Sequence, residues 1–237
     1  MSRTVRDTII GLLKEIRYHP EFSHELAAEA RKLVENLVGE NEGRQIDIAK
    51  LAKLGDPKAG KIRQMMYDSL LMEVYFYARV RFLERLIGYL ATVKSALRIA
   101  DDGCGSGVDI YCLTHILPER FTIVGIDPSE AALEVARARN TATTFFKSLA
   151  GQQFDLIYTD FFDVGHNLLP EVAQKGEEYV KALTSKGVLV QNVDQDDSSR
   201  RLLIGTMKGL RLRREELLSE IPNNPDCYLL VWEKSPE

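Results

Sequence analysis

The chain has 237 residues, 45% of them hydrophobic and 28% charged, enough apolar side chain for one large domain or a core with an accessory segment. A net charge of −4 argues against a nucleic-acid partner, which a basic surface would serve better. Three cysteines without paired spacing suggest neither a disulfide frame nor a zinc site, and no apolar run reaches bilayer length or forms the core of a signal peptide.

The expectation is a cytoplasmic protein with no membrane partner, no nucleic acid and no metal. Arg200, Arg201, Arg211, Arg213 and Arg214 cluster near the C-terminus and read as a solvated face.

Residues 1–94 read as a helical cap. Val5, Ile9, Leu12, Leu13 and Ile16 recur at helical spacing. His19-Pro20 ends that helix and opens another, striped by Phe22, Leu26, Ala30, Leu33, Val34 and Leu37. Asp56-Pro57 opens a long helix running to about Leu90. Its middle is apolar nearly all round and holds Tyr67, Tyr75, Phe76, Tyr77 and Phe82. Core packing accounts for such a stretch. The functional reading is a lid whose tyrosines, Tyr75 among them, line an acceptor pocket. The same helices offer a homodimer interface.

From residue 95 to 237 the pattern alternates between strands and helices. The expected strands are 96–100, 122–127, a weak 143–146, 155–159, 187–193, 210–214 and 227–233. Helices are expected over 108–116, from Pro128-Ser129 onward, over 171–183 and over 200–207. Only a turn fits between the third and fourth strands.

The strand at Ile99-Ala100-Asp101-Asp102 breaks into Gly103-Cys104-Gly105-Ser106-Gly107 and then becomes a helix. Glycines there let the backbone approach a nucleotide-like ligand. The order Gly-x-Gly-x-Gly departs from the dinucleotide fingerprint, and an acid before the first glycine would repel a pyrophosphate. A ligand with a cationic end fits better. A second strand ends at Asp127 about twenty residues on, the spacing of a carboxylate that grips ribose hydroxyls.

Asp101-x-Gly103-Cys104-Gly105-Ser106-Gly107 resembles motif I of the class I S-adenosylmethionine-dependent methyltransferases. Gly125-Ile126-Asp127-Pro128-Ser129 is similar to the family's second-strand motif. Phe154 to Asp160 and Lys186 to Val190 resemble its fourth strand and the turn into its fifth. The resemblance implies an α/β fold: a doubly wound, mostly parallel seven-stranded sheet with a closing antiparallel hairpin, preceded by the helical segment. It implies S-adenosyl-L-methionine as cofactor, held by Asp101, Gly103, Cys104, Gly105, Gly107, Asp127, Pro128 and Asp160.

Asp160, at the end of strand four, is the best catalytic candidate, able to orient a nucleophile and receive its proton. His166 in the following loop is a candidate general base, and Tyr75 a candidate from the lid. The expected function is methylation of nitrogen or oxygen on a small molecule. Two alternatives stay open. One is transfer of the aminocarboxypropyl or aminopropyl arm, or cyclisation of the cofactor, as in nicotianamine synthases. The other is a non-catalytic cofactor-binding module.

Overall fold

The computed structural model describes residues 4–17, 76–160, 169–194, 197–218 and 227–235. Helix α1 (Val5–Arg17) starts at a capping box. The Asp7 amide donates to Thr4 Oγ1 at 3.1 Å, and the Thr4 hydroxyl donates back to Asp7 Oδ2 at 2.6 Å. Its apolar stripe, Ile9, Leu13 and Ile16, is buried as the spacing predicts. Helix α2 (Phe76–Thr92) falls within the long helix expected from Pro57, whose expected start lies outside the described residues. It buries Phe82, Leu83, Leu86 and Leu90, each such side chain contributing about 1.5–3 kcal/mol. Tyr77 is exposed, whereas Phe82 is core.

The remaining elements alternate. In chain order they are β1 (Leu97–Asp102), α3 (Val108–Ile116), β2 (Phe121–Ile126), α4 (Glu130–Arg139), β3 (Thr144–Phe146) and β4 (Phe154–Thr159). They continue as α5 (Leu169–Ala182), β5 (Leu183–Asp194), α6 (Asp197–Thr206), β6 (Leu210–Leu217) and β7 (Cys227–Lys234). The strands form one seven-stranded sheet ordered β3-β2-β1-β4-β5-β7-β6. The first five pair in parallel, and β7 runs antiparallel to both β5 and β6. This is the expected Rossmann-like methyltransferase architecture.

Several strands run beyond their expected limits, because the parallel neighbour supplies ladder partners that composition does not reveal. Asp101 and Asp102 pair with Gly125 and Ile126, so β1 continues through both acids. Strand β5 begins at Leu183, which pairs with Phe154 across a register shift. Between β3 and β4 there is only a turn.

The sheet is covered on both faces, as parallel sheets are. One apolar cluster joins α1, α2 and α3 to Ile99, Leu156, Tyr158, Val190 and Leu229. The other joins α5 and α6 to Ala100, Ile157, Leu189, Leu230 and Trp232. Alternation along each strand therefore assigns Asp101, Tyr158 and Asn192 to the first face, and Asp102 to the second. The order of strands reverses between β1 and β4, and ligand crevices of open α/β sheets lie outside the carboxyl ends at that point. No described helix is long and apolar enough to cross a membrane.

Candidate functional site

Three left-handed glycines shape the loop between β1 and α3: Gly103 at φ 84°, Gly105 at 52° and Gly107 at 73°. The amides of Gly103 and Cys104 both donate to the Ile126 carbonyl, at 2.8 and 2.9 Å, which binds the loop to the end of β2. A Cβ on Gly103 would meet nothing within 4 Å, so this glycine faces open space. A Cβ on Gly107 would lie 2.6 Å from Nδ2 of Asn140. That amide donates to the Gly107 carbonyl at 3.0 Å, and Arg139 donates to the Ser106 carbonyl and hydroxyl at 2.7 Å. One end of α4 thus clamps the back of the loop, while Gly103 opens its front.

Asp127 stands just past β2, half-buried. Its Oδ2 accepts the Gly105 amide at 3.0 Å, and its Oδ1 accepts the Ser129 amide at 2.8 Å. Ser129, not Asp127, is the N-cap of α4, accepting from the Ala132 amide at 3.3 Å. Pro128 is exposed between them. Cys104 is buried in the loop, and burial pushes its thiol far above the ordinary range, with Asp101 and Asp127 adding to the effect. A thiol held neutral serves as a small side chain rather than a nucleophile.

The two adjacent acids of β1 part company. Asp102 accepts from the Tyr179 hydroxyl at 2.9 Å and pairs with Lys175 Nζ at 3.0 Å, both on α5. Burial opposes the Lys175 charge, but Asp102 outweighs it and holds the ammonium above its usual range. Asp102 is therefore a structural anchor. Asp101 lies on the other face, 2% exposed, beside the Tyr158 hydroxyl. Its carboxyl is held well above the usual carboxylate range, first by burial and next by the charge of Asp109, with Tyr158 working the other way.

Asp160 closes the arrangement. Arg79 of α2 donates from Nε to its Oδ2 at 2.9 Å, and Asn192 of β5 donates from Nδ2 to its Oδ1 at 2.6 Å. The same Arg79 Nε lies 3.3 Å from Oδ1 of Asp109, in the first turn of α3. Asp101, Asp109, Asp160 and Arg79 thus form one buried cluster at the carboxyl ends of β1, β4 and β5. Among the described residues no His, Cys, Asp and Glu group has the arrangement of a metal site.

Residues 93–208 match a family model described as a methyltransferase domain. These residues form a class I methyltransferase domain. The domain resembles the N-methyltransferase NodS of Bradyrhizobium japonicum, solved with S-adenosyl-L-homocysteine, at TM-score 0.56 and 19% identity over 68% of this chain and 88% of that one. A candidate RNA methyltransferase of Pyrococcus horikoshii superposes at TM-score 0.51, with 12% identity over 66% of this chain and 83% of that one. At such identities the likeness concerns the fold, and one fold serves both of those proteins. A stretch of 46 residues is 56% identical to the uncharacterized phycocyanin operon protein W of Pseudanabaena tenuis, spanning 19% of this chain and 42% of that protein.

The cofactor of class I methyltransferases is S-adenosylmethionine, and the methyltransferase domain suits it. A Cβ on Gly103 would meet nothing, so a ligand could approach the backbone there; Asp127 would suit ribose hydroxyls and the Asp101 carboxyl an ammonium group.

Asp101, Gly103, Cys104, Gly105, Gly107, Asp127 and Asp160 lie at or just beyond the carboxyl ends of β1, β2 and β4. His166 and Tyr75 lie outside the described residues. Sequence reasoning missed Arg79, Asp109, Asn140 and Asn192. Arg79 had a visible signal: it occupies the apolar stripe of α2 marked by Phe82, Leu83, Leu86 and Leu90, where a charge demands a buried partner. Asn192 had none, because its role depends on the register of β5 against β4.

Proposed function

We propose that this S-adenosylmethionine-dependent transferase methylates nitrogen or oxygen on a small-molecule acceptor. The observation carrying this reading is the link between Asp127 and the glycine loop, since one carboxylate both sets the Gly105 backbone and faces where a ribose would sit. When bound, S-adenosylmethionine supplies a methyl group already activated by its sulfonium. The protein therefore needs mainly to align the acceptor and exclude water.

Asp101, Gly103, Gly105 and Asp127 bind the cofactor in this reading. Asp160 holds the acceptor near the reacting centre. Both its oxygens are engaged by Arg79 and Asn192, which favours an orienting carboxylate over a freely rotating base. A small acceptor agrees with the net charge of −4, since a polyanion is better served by a basic surface. Near the C-terminus Arg211 and Arg213 share Glu233, Arg214 and Arg85 share Glu216, and Arg200 of α6 pairs with Glu215.

The product tests the reading. Incubation with S-adenosylmethionine and a panel of amines, phenols and acids should release S-adenosylhomocysteine. Release of methylthioadenosine would instead establish transfer of the other arm. Neither product, with the cofactor bound, would leave a binding module.

A further inference from the structure

We propose that Arg79, which stands on α2 outside the matched residues 93–208, is a positioning residue that acts through Asp160 to hold the acceptor in line with the methyl group. The inference rests on the methyltransferase reading and assigns part of its active site to the helical N-terminal segment.

The first ground is the way Asp160 is held. Its Oδ2 accepts from Arg79 Nε at 2.9 Å and its Oδ1 from Asn192 Nδ2 at 2.6 Å, with the Arg79 and Asp160 side chains 7% and 6% exposed. A donor on each oxygen opposes rotation of the carboxylate about its Cβ–Cγ bond. Asn192 reaches Asp160 through the β4–β5 ladder: Thr159 pairs with Gln191, so the residues that follow them lie side by side. The other donor comes from a helix that precedes the sheet, 81 positions away.

The second ground is that Arg79 is itself fixed. Its Nε also lies 3.3 Å from Asp109 Oδ1, in the first turn of α3, the helix that follows the glycine loop. Three residues along α2, Phe82 packs on Tyr158 of β4 with ring centroids 6.2 Å apart. A turn further, Arg85 pairs with Glu216 of β6 at 2.7 Å. These contacts seat α2 on the sheet and deliver the guanidinium to one place. Exchanging a buried ion pair for apolar packing is often neutral or stabilising, so stability is a weak reason for one at the crevice. Holding a working group at a set angle is a stronger reason.

Methyl transfer needs the attacking atom, the methyl carbon and the sulfur in line. The lone pair of the acceptor nitrogen or oxygen forms the bond to carbon, the carbon–sulfur pair stays on sulfur, and the acceptor's proton passes to solvent. Because Asp160 orients the acceptor in this reading, freedom left to its carboxylate becomes freedom of the attacking atom. Such misalignment costs rate rather than cofactor binding. Arg79 touches neither reactant in this scheme and works only by holding Asp160.

The test measures S-adenosylhomocysteine release by the full chain with benzylamine, tyramine, phenol and benzoate as acceptors, and S-adenosylhomocysteine binding by calorimetry, on variants whose folding is checked by circular dichroism. With the fastest of those acceptors, Arg79→Met should lower kcat about tenfold or more, while S-adenosylhomocysteine affinity changes less than about twofold. Arg79→Lys keeps the charge but not the fork and should lose less. In an Asp160→Ala background the same replacements should change kcat less than about twofold, because the group they act through is gone. Unchanged kcat in both Arg79 variants overturns the proposal. So does an equal loss with and without Asp160, or a loss of affinity that matches the loss of kcat. Arg79→Lys carries the cycle should Arg79→Met not fold, and the split between kcat and affinity decides should Asp160→Ala be too slow to measure. If S-adenosylhomocysteine is released with none of the four acceptors, the methyltransferase reading falls, and the proposal with it. If it is released without these Arg79 effects, only this proposal falls.

Discussion

Arg79 donates to Asp160 across 81 positions of sequence, at 2.9 Å and with both side chains less than a tenth exposed. The pair joins α2, from the helical N-terminal segment, to the end of β4, where the sheet's crevice lies. Removing one partner of a buried ion pair leaves a charge without compensation. Arg79→Met should therefore lose about 3–5 kcal/mol of unfolding free energy, read from urea melts. Arg79→Lys keeps the charge but not the guanidinium fork, and should fall between. A loss below about 0.5 kcal/mol for Arg79→Met would mean that the pair is not formed in solution.

Asp127 does two jobs, and its variants separate them. Asp127→Ala removes the acceptor for the Gly105 amide together with the ribose contact, so S-adenosylmethionine affinity should drop at least about tenfold by calorimetry. Asp127→Asn retains one acceptor oxygen and should lose less. Unchanged affinity in the alanine variant would remove the residue from the cofactor site.

The glycine loop offers a matched comparison. Gly103→Ala adds a Cβ into open space at φ 84°, so the fold should lose only about 1–2 kcal/mol while cofactor binding suffers from the blocked approach. Gly107→Ala has similar backbone strain and also drives its Cβ against Asn140, which should cost about 3 kcal/mol or more. Thermal melts and cofactor titrations on both variants would show opposite rankings for stability and affinity.

Asp101 predicts a pH dependence of the cofactor-free protein. Its folded pKa lies above the unfolded one, through burial and the charge of Asp109. Such a group contributes stability fully present below the unfolded pKa and lost as pH rises through the folded pKa. Asp101→Asn removes the titration while keeping the shape. The variant should unfold at higher urea than the parent near neutral pH, and the advantage should vanish below about pH 4, where both states of the parent are protonated. Its cofactor affinity should fall over the same range in which its stability gains. An equal shift at both pH values would show that Asp101 does not titrate between them.

How much of this was legible beforehand depends on the distance between partners. The β1 loop, Asp127 and the seven strands are local patterns, set by glycine conformation and by runs of alternating or continuous apolar side chains. They stand where the spacing placed them, and the resemblance to class I methyltransferases held through residues 93–208. The strand limits were less legible, because β5 gains its first residues from pairing with Phe154 rather than from its own composition.

Asp160 was visible as the acid ending β4. Its state was not, because both its partners come from elsewhere: Arg79 from a helix that precedes the sheet, and Asn192 from the neighbouring strand. The adjacent acids Asp101 and Asp102 make the same point. They look alike in sequence, yet strand alternation sends one toward Asp109 and Tyr158 and the other toward Lys175 and Tyr179.

Sequence alone thus determined the alternation of strands and helices and the glycine loop, which follow from short-range rules of backbone conformation and side-chain periodicity, while the fold class and S-adenosylmethionine were implied by the resemblance those motifs carry. Only the tertiary structure decided the electrostatics of the crevice. Charge balance and hydrogen-bond satisfaction are sums over neighbours in space. The residues making up this sum run from Arg79 to Asn192, and only folding brings them together.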